Sequence, residues 1–161
     1  MRRVLEIVSQ GSLVLLVFVT VRALYGPARL PDRIPTHFNA AGQADGWGPP
    51  MMLLIFPVFA MVIYLLMSRV SRFPAAFNFP VRVTPLNRQR LEELALSMIA
   101  WLKTEVVVFF TWLAWSAIGA ARSPEPHLSP ALMPVLLVAV FSTCIVHIVA
   151  MFRAARMTPQ R

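Results

Sequence analysis

The chain has 161 residues, 58% of them hydrophobic and only 14% charged, with a mean hydropathy of +0.67 and a net charge of +8. Soluble domains are roughly 45–50% apolar, and here the surplus lies in blocks, which points to membrane spans rather than a large soluble core. The basic residues flank those blocks instead of gathering into a patch, which argues against a nucleic-acid binder. The single cysteine excludes an intrachain disulfide and a cysteine-based zinc knuckle.

Arg2 and Arg3 precede an apolar stretch from Val4 to Tyr25. A signal peptide would have a shorter apolar region, of roughly 7–15 residues, and a small-x-small cleavage site. The stretch is therefore expected to be a retained first span, about residues 4–24. Glu6 and Arg22 lie near its ends, where long side chains reach the interface. A loop at 26–50 follows, dense in Pro, Gly and polar residues. The second span is expected at about 51–67, with Pro57 as a candidate kink.

The connection from 69 to 103 is not a plain linker. It contains Pro74, Pro80, Phe73 and Phe77-Asn-Phe79. Thr84-Pro85 resembles a helix start, with Thr as N-cap and Pro at the first helical position. Leu91, Leu94, Ala95, Met98, Ile99 and Leu102 then recur at helical spacing, with Arg88, Arg90, Glu92, Glu93 and Ser97 elsewhere. This is an amphipathic helix leading into span three. It either lies along the membrane surface or runs on into the bilayer; Leu86–Ala121 as one helix would be about 54 Å long. Arg88 and Glu92 suit an i,i+4 pair. Spans three and four are expected at about 104–121 and 131–152. Each apolar run is near the ~17–25 residues that cross a bilayer as a helix, and lipid leaves helices or a closed barrel as the backbone solutions. Cys144, inside the fourth run, is expected to be a buried, inert thiol.

Lys and Arg set the orientation. Eleven of the 15 basic residues lie at the N-terminus, between spans two and three, or after span four; Arg22, Arg29, Arg33 and Arg122 lie on the other side. The positive-inside rule then places both termini in the cytoplasm, and the 26–50 loop and the turn around Pro124–Pro130 outside. The expected fold is an all-α integral membrane protein: one domain over 1–161, four transmembrane helices, an ordered extracytoplasmic loop and a cytoplasmic amphipathic helix. The expected location is a bacterial inner membrane.

The loop carries Leu30-Pro31-x-x-Ile34-Pro35-x-His37-Phe38-Asn39-x-x-Gly42-x-x-Asp45-Gly46-Trp47-Gly48. This resembles the signature of the domain-of-unknown-function 1648 family, which places such a loop directly after an N-terminal span. Phe77-Asn-Phe-Pro-Val-Arg-Val-Thr-Pro85, then Leu-Asn-Arg and a helix ending in Trp101-Leu-Lys103, resembles the family's later segment. Roughly residues 10–115 are covered. The resemblance implies kinship with the front part of immunity proteins against a sporulation-delaying toxin. Those proteins continue into further spans; this chain resembles the short, stand-alone class. Pro49-Pro50 stands where the family often has Ser-Lys or a similar polar pair.

Asp32, His37, Asn39 and Asp45 are the candidate site residues. Several readings stand side by side. In the structural one, Pro31 and Pro35 set extended segments, Asn39 with Gly42 makes a turn with positive φ, and Asp45-Gly46 makes a second turn. His37 then bonds backbone across the loop, and Trp47 anchors it at the interface. In the second, the loop binds a ligand or partner. In the third, His37 and His127 converge with an Asp on one metal ion. Within the spans, Lys103 and Glu105 are expected to snorkel to the interface, the alternative being a bundle-facing Glu105 that carries protons or a cation. His147 is expected to make an interhelical hydrogen bond.

HExxH, GxSxG, GxGxxG and P-loop motifs are absent from the sequence. The leading expectation is a non-enzymatic membrane protein without a cofactor. Its outer loop would bind a peptide, envelope component or partner membrane protein, in immunity or signalling. Alternatives are a small, oligomeric ion-coupled transporter using Glu105 and His147, and an extracytoplasmic metal sensor.

Overall fold

The computed structural model describes residues 1–156, so Arg161 of the charge count lies outside the described residues. The chain is mostly helical. Helix α1 spans Arg2–Tyr25; strands β1 (Ile34–Phe38) and β2 (Ala44–Gly48) follow; a 3₁₀ turn at Pro50–Leu54 runs into α2 (Ile55–Val70). After a short 3₁₀ turn at Pro74–Ala76 come α3 (Arg88–Arg122) and α4 (Leu132–Arg156). All four helices, the second taken from Pro50, are long and apolar enough to cross a membrane. That is the make-up of a multi-pass membrane protein.

The central helix is α3, which packs against α1, α2 and α4; α1 and α2 also touch each other. At mid-bundle, Ala60 and Ala114 are fully buried beside Leu16 and Val107. Small side chains there let helix backbones approach, as membrane bundles require where no aqueous hydrophobic effect drives helices together. Hydroxyl groups stitch α1 to α3. The Ser9 and Thr104 hydroxyls lie 2.8 Å apart, and Thr111 Oγ1 donates to the Ser12 carbonyl at 3.1 Å.

Several expectations need correction. The chain is not purely α, because the loop contains the two-stranded hairpin. Pro57 sits in the first turn of α2, just after the 3₁₀ turn that opens the span. Its missing N–H is there one of the donors that the first turn of α2 leaves unpaired. Regular helix in α3 begins at Arg88 rather than at Pro85. Thr84 does open the turn, since its carbonyl accepts from the Asn87 and Arg88 amides. Asn87 and Thr84 then exchange side-chain bonds: Asn87 Oδ1 accepts from the Thr84 amide at 2.8 Å. From Arg88, α3 runs unbroken for 35 residues, about 52 Å. Phe77, Phe79 and Val81 fold back onto Leu91, Ala95 and Met151, so the connection packs against α3 and α4. Arg88 pairs with Glu92 at 2.9 Å. Cys144 is only half-buried.

Candidate functional site

The hairpin closes one end of the bundle. Buried Leu30 and Ile34 pack with Val19, Ala23, Leu53 and Ala117 of the helical core. The strands are antiparallel, pairing Ile34 with Gly48, Pro35 with Trp47, His37 with Gly46, and Phe38 with Ala44; the register is irregular around His37.

Asn39 organises the turn. Its Oδ1 accepts from the amides of Ala41 and Gln43, both at 3.0 Å, while its backbone exchanges bonds with Gly42 and Gln43. Gly42 has φ +82°, the one positive φ among the described residues. This is the expected Asn/Gly turn, and it serves a second purpose. The Gly42 carbonyl accepts from Leu128 N at 2.8 Å, His127 Nε2 lies 3.0 Å from the Ala41 carbonyl, and Gln43 forms a bridge with His127. The α3–α4 connection thus lies along the hairpin turn like a short third strand. A Cβ on Gly42 would come within 2.0 Å of the Leu128 carbonyl oxygen.

Asp45-Gly46 does not form a second turn; both residues lie in β2. Their role is across the hairpin. His37 Nδ1 stands 2.5 Å from Asp45 Oδ1, a side-chain partner in place of the expected backbone one. Gly46 opposite His37 makes room, because a Cβ there would meet His37 Cβ at 2.8 Å. The His37 side chain is 74% exposed and that of Asp45 44%. Trp47 is half-exposed, its carbonyl 3.4 Å from Arg33 Nη2. Pro31 and Asp32 are exposed ahead of β1, whereas Pro35 is buried. Beneath the hairpin lies an apolar cavity of about 310 Å³, bordered by Thr36, Phe38, Met52, Phe56 and Leu113. His37 and His127 are committed to different partners. Among the described residues no three His, Cys, Asp or Glu side chains come together as a metal site would need.

A second polar cluster joins α1, α2 and α3 around the buried Lys103. Lys103 is 4% exposed. Its Nζ donates to Glu6 Oε2 at 2.6 Å and to Ser68 Oγ at 3.0 Å, and stands 4.7 Å from the centre of the Tyr64 ring. Tyr64 Oη donates to Glu6, and Gln10 Nε2 donates to Glu6 Oε1 at 3.1 Å. Three helices are pinned together. Lys103 is not a free side chain reaching outward: it is buried, with its ammonium turned into the bundle onto Glu6 and Ser68. Glu6 is likewise tied to the bundle rather than free to reach the interface. The pairing was missing from the sequence reading; its only trace was two opposite charges at similar depth near the starts of spans one and three.

Glu105 and His147 meet the α3–α4 interface through one residue. Thr143 Oγ1 donates to Glu105 Oε1 at 2.5 Å, while the Thr143 carbonyl lies 2.8 Å from His147 Nδ1. A carbonyl can only accept, so Nδ1 carries the hydrogen, and Nε2 lies 3.3 Å from Ser97 Oγ. This is an interhelical bond between α4 and α3. Glu105 Oε2 is buried without a partner among the described residues.

The sequence profile of the domain of unknown function DUF1648 matches residues 13–61, ending ahead of the Phe77–Pro85 segment. An uncharacterized protein of Archaeoglobus fulgidus is 28% identical over 89 residues, covering 50% of this chain and 49% of its own length. The chain thus spans about half of that relative. No solved structure matches. Residues 13–61, from the middle of α1 through the hairpin to the middle of α2, are thus the part of the chain that is similar to the DUF1648 domain.

Proposed function

We propose that the protein is a membrane-embedded recognition module whose hairpin binds a peptide, an envelope component or another membrane protein. The carrying observation is a division of labour within the motif. Asn39 and Gly42 are spent on the turn and on its bond to Leu128, and Gly46 on making room. His37, Asp45 and Trp47 are left on the exposed surface. An ordered platform that presents an aromatic ring and a His–Asp pair contacts a partner at low entropic cost. Lys and Arg placement supports a topology with both chain ends in the cytoplasm of a bacterial cell and the hairpin outside. The resemblance of the loop to the front part of toxin immunity proteins favours a secreted peptide as the partner.

In-cell photo-crosslinking from a photoreactive residue at Ala40, which is exposed in the turn after β1, tests the proposal by mass spectrometry. The expected result is a discrete crosslinked partner, lost in His37→Ala and weakened in Asp45→Asn at unchanged expression. Crosslinks only to lipid or to the chain itself, or a partner indifferent to both substitutions, would overturn it.

A further inference from the structure

At the end of the bundle that carries the hairpin, a groove of about 420 Å³ runs between α1 and α3. Phe18 and Trp115 border it and are well exposed, while Ile118 within it is buried. A Cβ on Gly119 would meet nothing within 4 Å, so the groove stays open there. Arg22 and Arg122 line the same groove, each in the last turn of its helix. Helix C-termini favour cations at those positions. Among the described residues no carboxylate pairs with either guanidinium. Arg122 gives one hydrogen bond, to the Ala28 carbonyl at 3.0 Å, which leaves most of its five N–H donors free.

An apolar channel on a membrane-spanning helix pair is filled by lipid tails or by protein. Two guanidiniums at its polar end add a fixed preference, because their forks match phosphate oxygens. We propose that this groove holds an anionic phospholipid, its phosphodiester on Arg22 and Arg122 and one acyl chain against Phe18 and Trp115. No residue of the hairpin lines this groove, so the site stands or falls separately from the partner reading of the hairpin.

Trp115 provides the readout. The full chain is placed in phosphatidylcholine nanodiscs, and brominated acyl chains are introduced on phosphatidylglycerol or on phosphatidylcholine at equal mole fraction. The quenching lost in Trp115→Phe isolates the signal of that residue. The expected result is association of phosphatidylglycerol on the order of tenfold stronger than of phosphatidylcholine, from two basic side chains. That preference should fall to parity in Arg22→Gln/Arg122→Gln, persist in part in Arg22→Lys/Arg122→Lys, and survive added inorganic phosphate. Equal quenching by the two lipids in the native chain would overturn the proposal. So would a preference that survives the glutamine variant, or one that inorganic phosphate abolishes, which would assign the arginines to a free anion. Shielding of Trp115 from both lipids would put a second copy of the chain in the groove instead. If the glutamine variant fails to fold, the lysine variant and the phosphate competition decide the matter.

Discussion

Lys103→Met is expected to destabilise the folded bundle by about 2–3 kcal/mol, and Glu6→Gln, whose side chain is 39% exposed, by about 1–2 kcal/mol. Lys103 is buried with its ammonium shared among Glu6, Ser68 and the Tyr64 ring. Removing the carboxylate leaves that ammonium without a counter-charge in a site where water is scarce. Removing the ammonium leaves Glu6 with only the Tyr64 and Gln10 donors. Breaking a pair whose ammonium is buried is the costly case; replacing both ends with uncharged groups costs less. Glu6→Gln/Lys103→Met should therefore be clearly more stable than the sum of the single changes, with a coupling of about 1–3 kcal/mol. Thermal or SDS-driven unfolding of the purified protein in detergent, followed by circular dichroism, measures all three. Additive changes below about 0.5 kcal/mol each would mean that the two charges are solvated separately, as surface pairs are.

Gly42→Ala should release the hairpin from the α3–α4 connection. Alanine at φ +82° costs roughly 1–2 kcal/mol in backbone conformation. The added Cβ would also press on the Leu128 carbonyl oxygen, which is backbone and cannot swing aside. The Leu128 N to Gly42 carbonyl bond is the first to go, for about 1 kcal/mol more. The helices make few contacts through this position, so the bundle should persist while the cap opens. Hydrogen exchange at the amides of Gln43, Ala44 and Leu128 should accelerate by about 30-fold or more, as a loss of about 2 kcal/mol implies. Amides in α1 and α3 should be unaffected. Unchanged exchange at Leu128 would mean that the two segments are not joined in solution.

These two sites differ in how far they could be read from sequence. The Asn39/Gly42 turn is local: a side-chain acceptor and a positive φ a few residues apart have few other uses. The strands around it gave weaker signals. β1 contains Pro35, and β2 is Ala-Asp-Gly-Trp-Gly, a sequence poor in strand formers. They form because the Asn39 turn sets the chain reversal, Ile34 is buried in the helical core, and 126–128 lies along the turn, none of which is a property of the five-residue segments themselves. The same holds for Asp45-Gly46, which has turn chemistry by composition but is held extended by its place opposite His37.

Within the bundle, the four apolar runs were plain because length and hydropathy suffice to mark a span. Partner choice was not. Glu6 and Lys103 are separated by 97 positions, and only helix packing brings them together. The expectation of a snorkelling Lys103 followed from its place just ahead of span three; that its ammonium turns inward depends on Glu6 and Ser68, which the facing helices supply. Thr143 gave no sequence signal at all, yet it links Glu105 to His147. A threonine in an apolar run is ordinary until the facing helix is known.

The recognition reading rests on the hairpin facing the side from which a partner arrives. Its most direct test is sidedness in intact cells. Ala40→Cys in a Cys144→Ser background, where no other thiol is present, is treated with a membrane-impermeant maleimide. Arg72→Cys, in the connection between α2 and α3, serves as the opposite marker. Labelling at 40 without permeabilisation, with 72 labelled only after it, is the expected result. Labelling at 72 in intact cells with 40 protected would place the hairpin in the cytoplasm and contradict an extracellular partner.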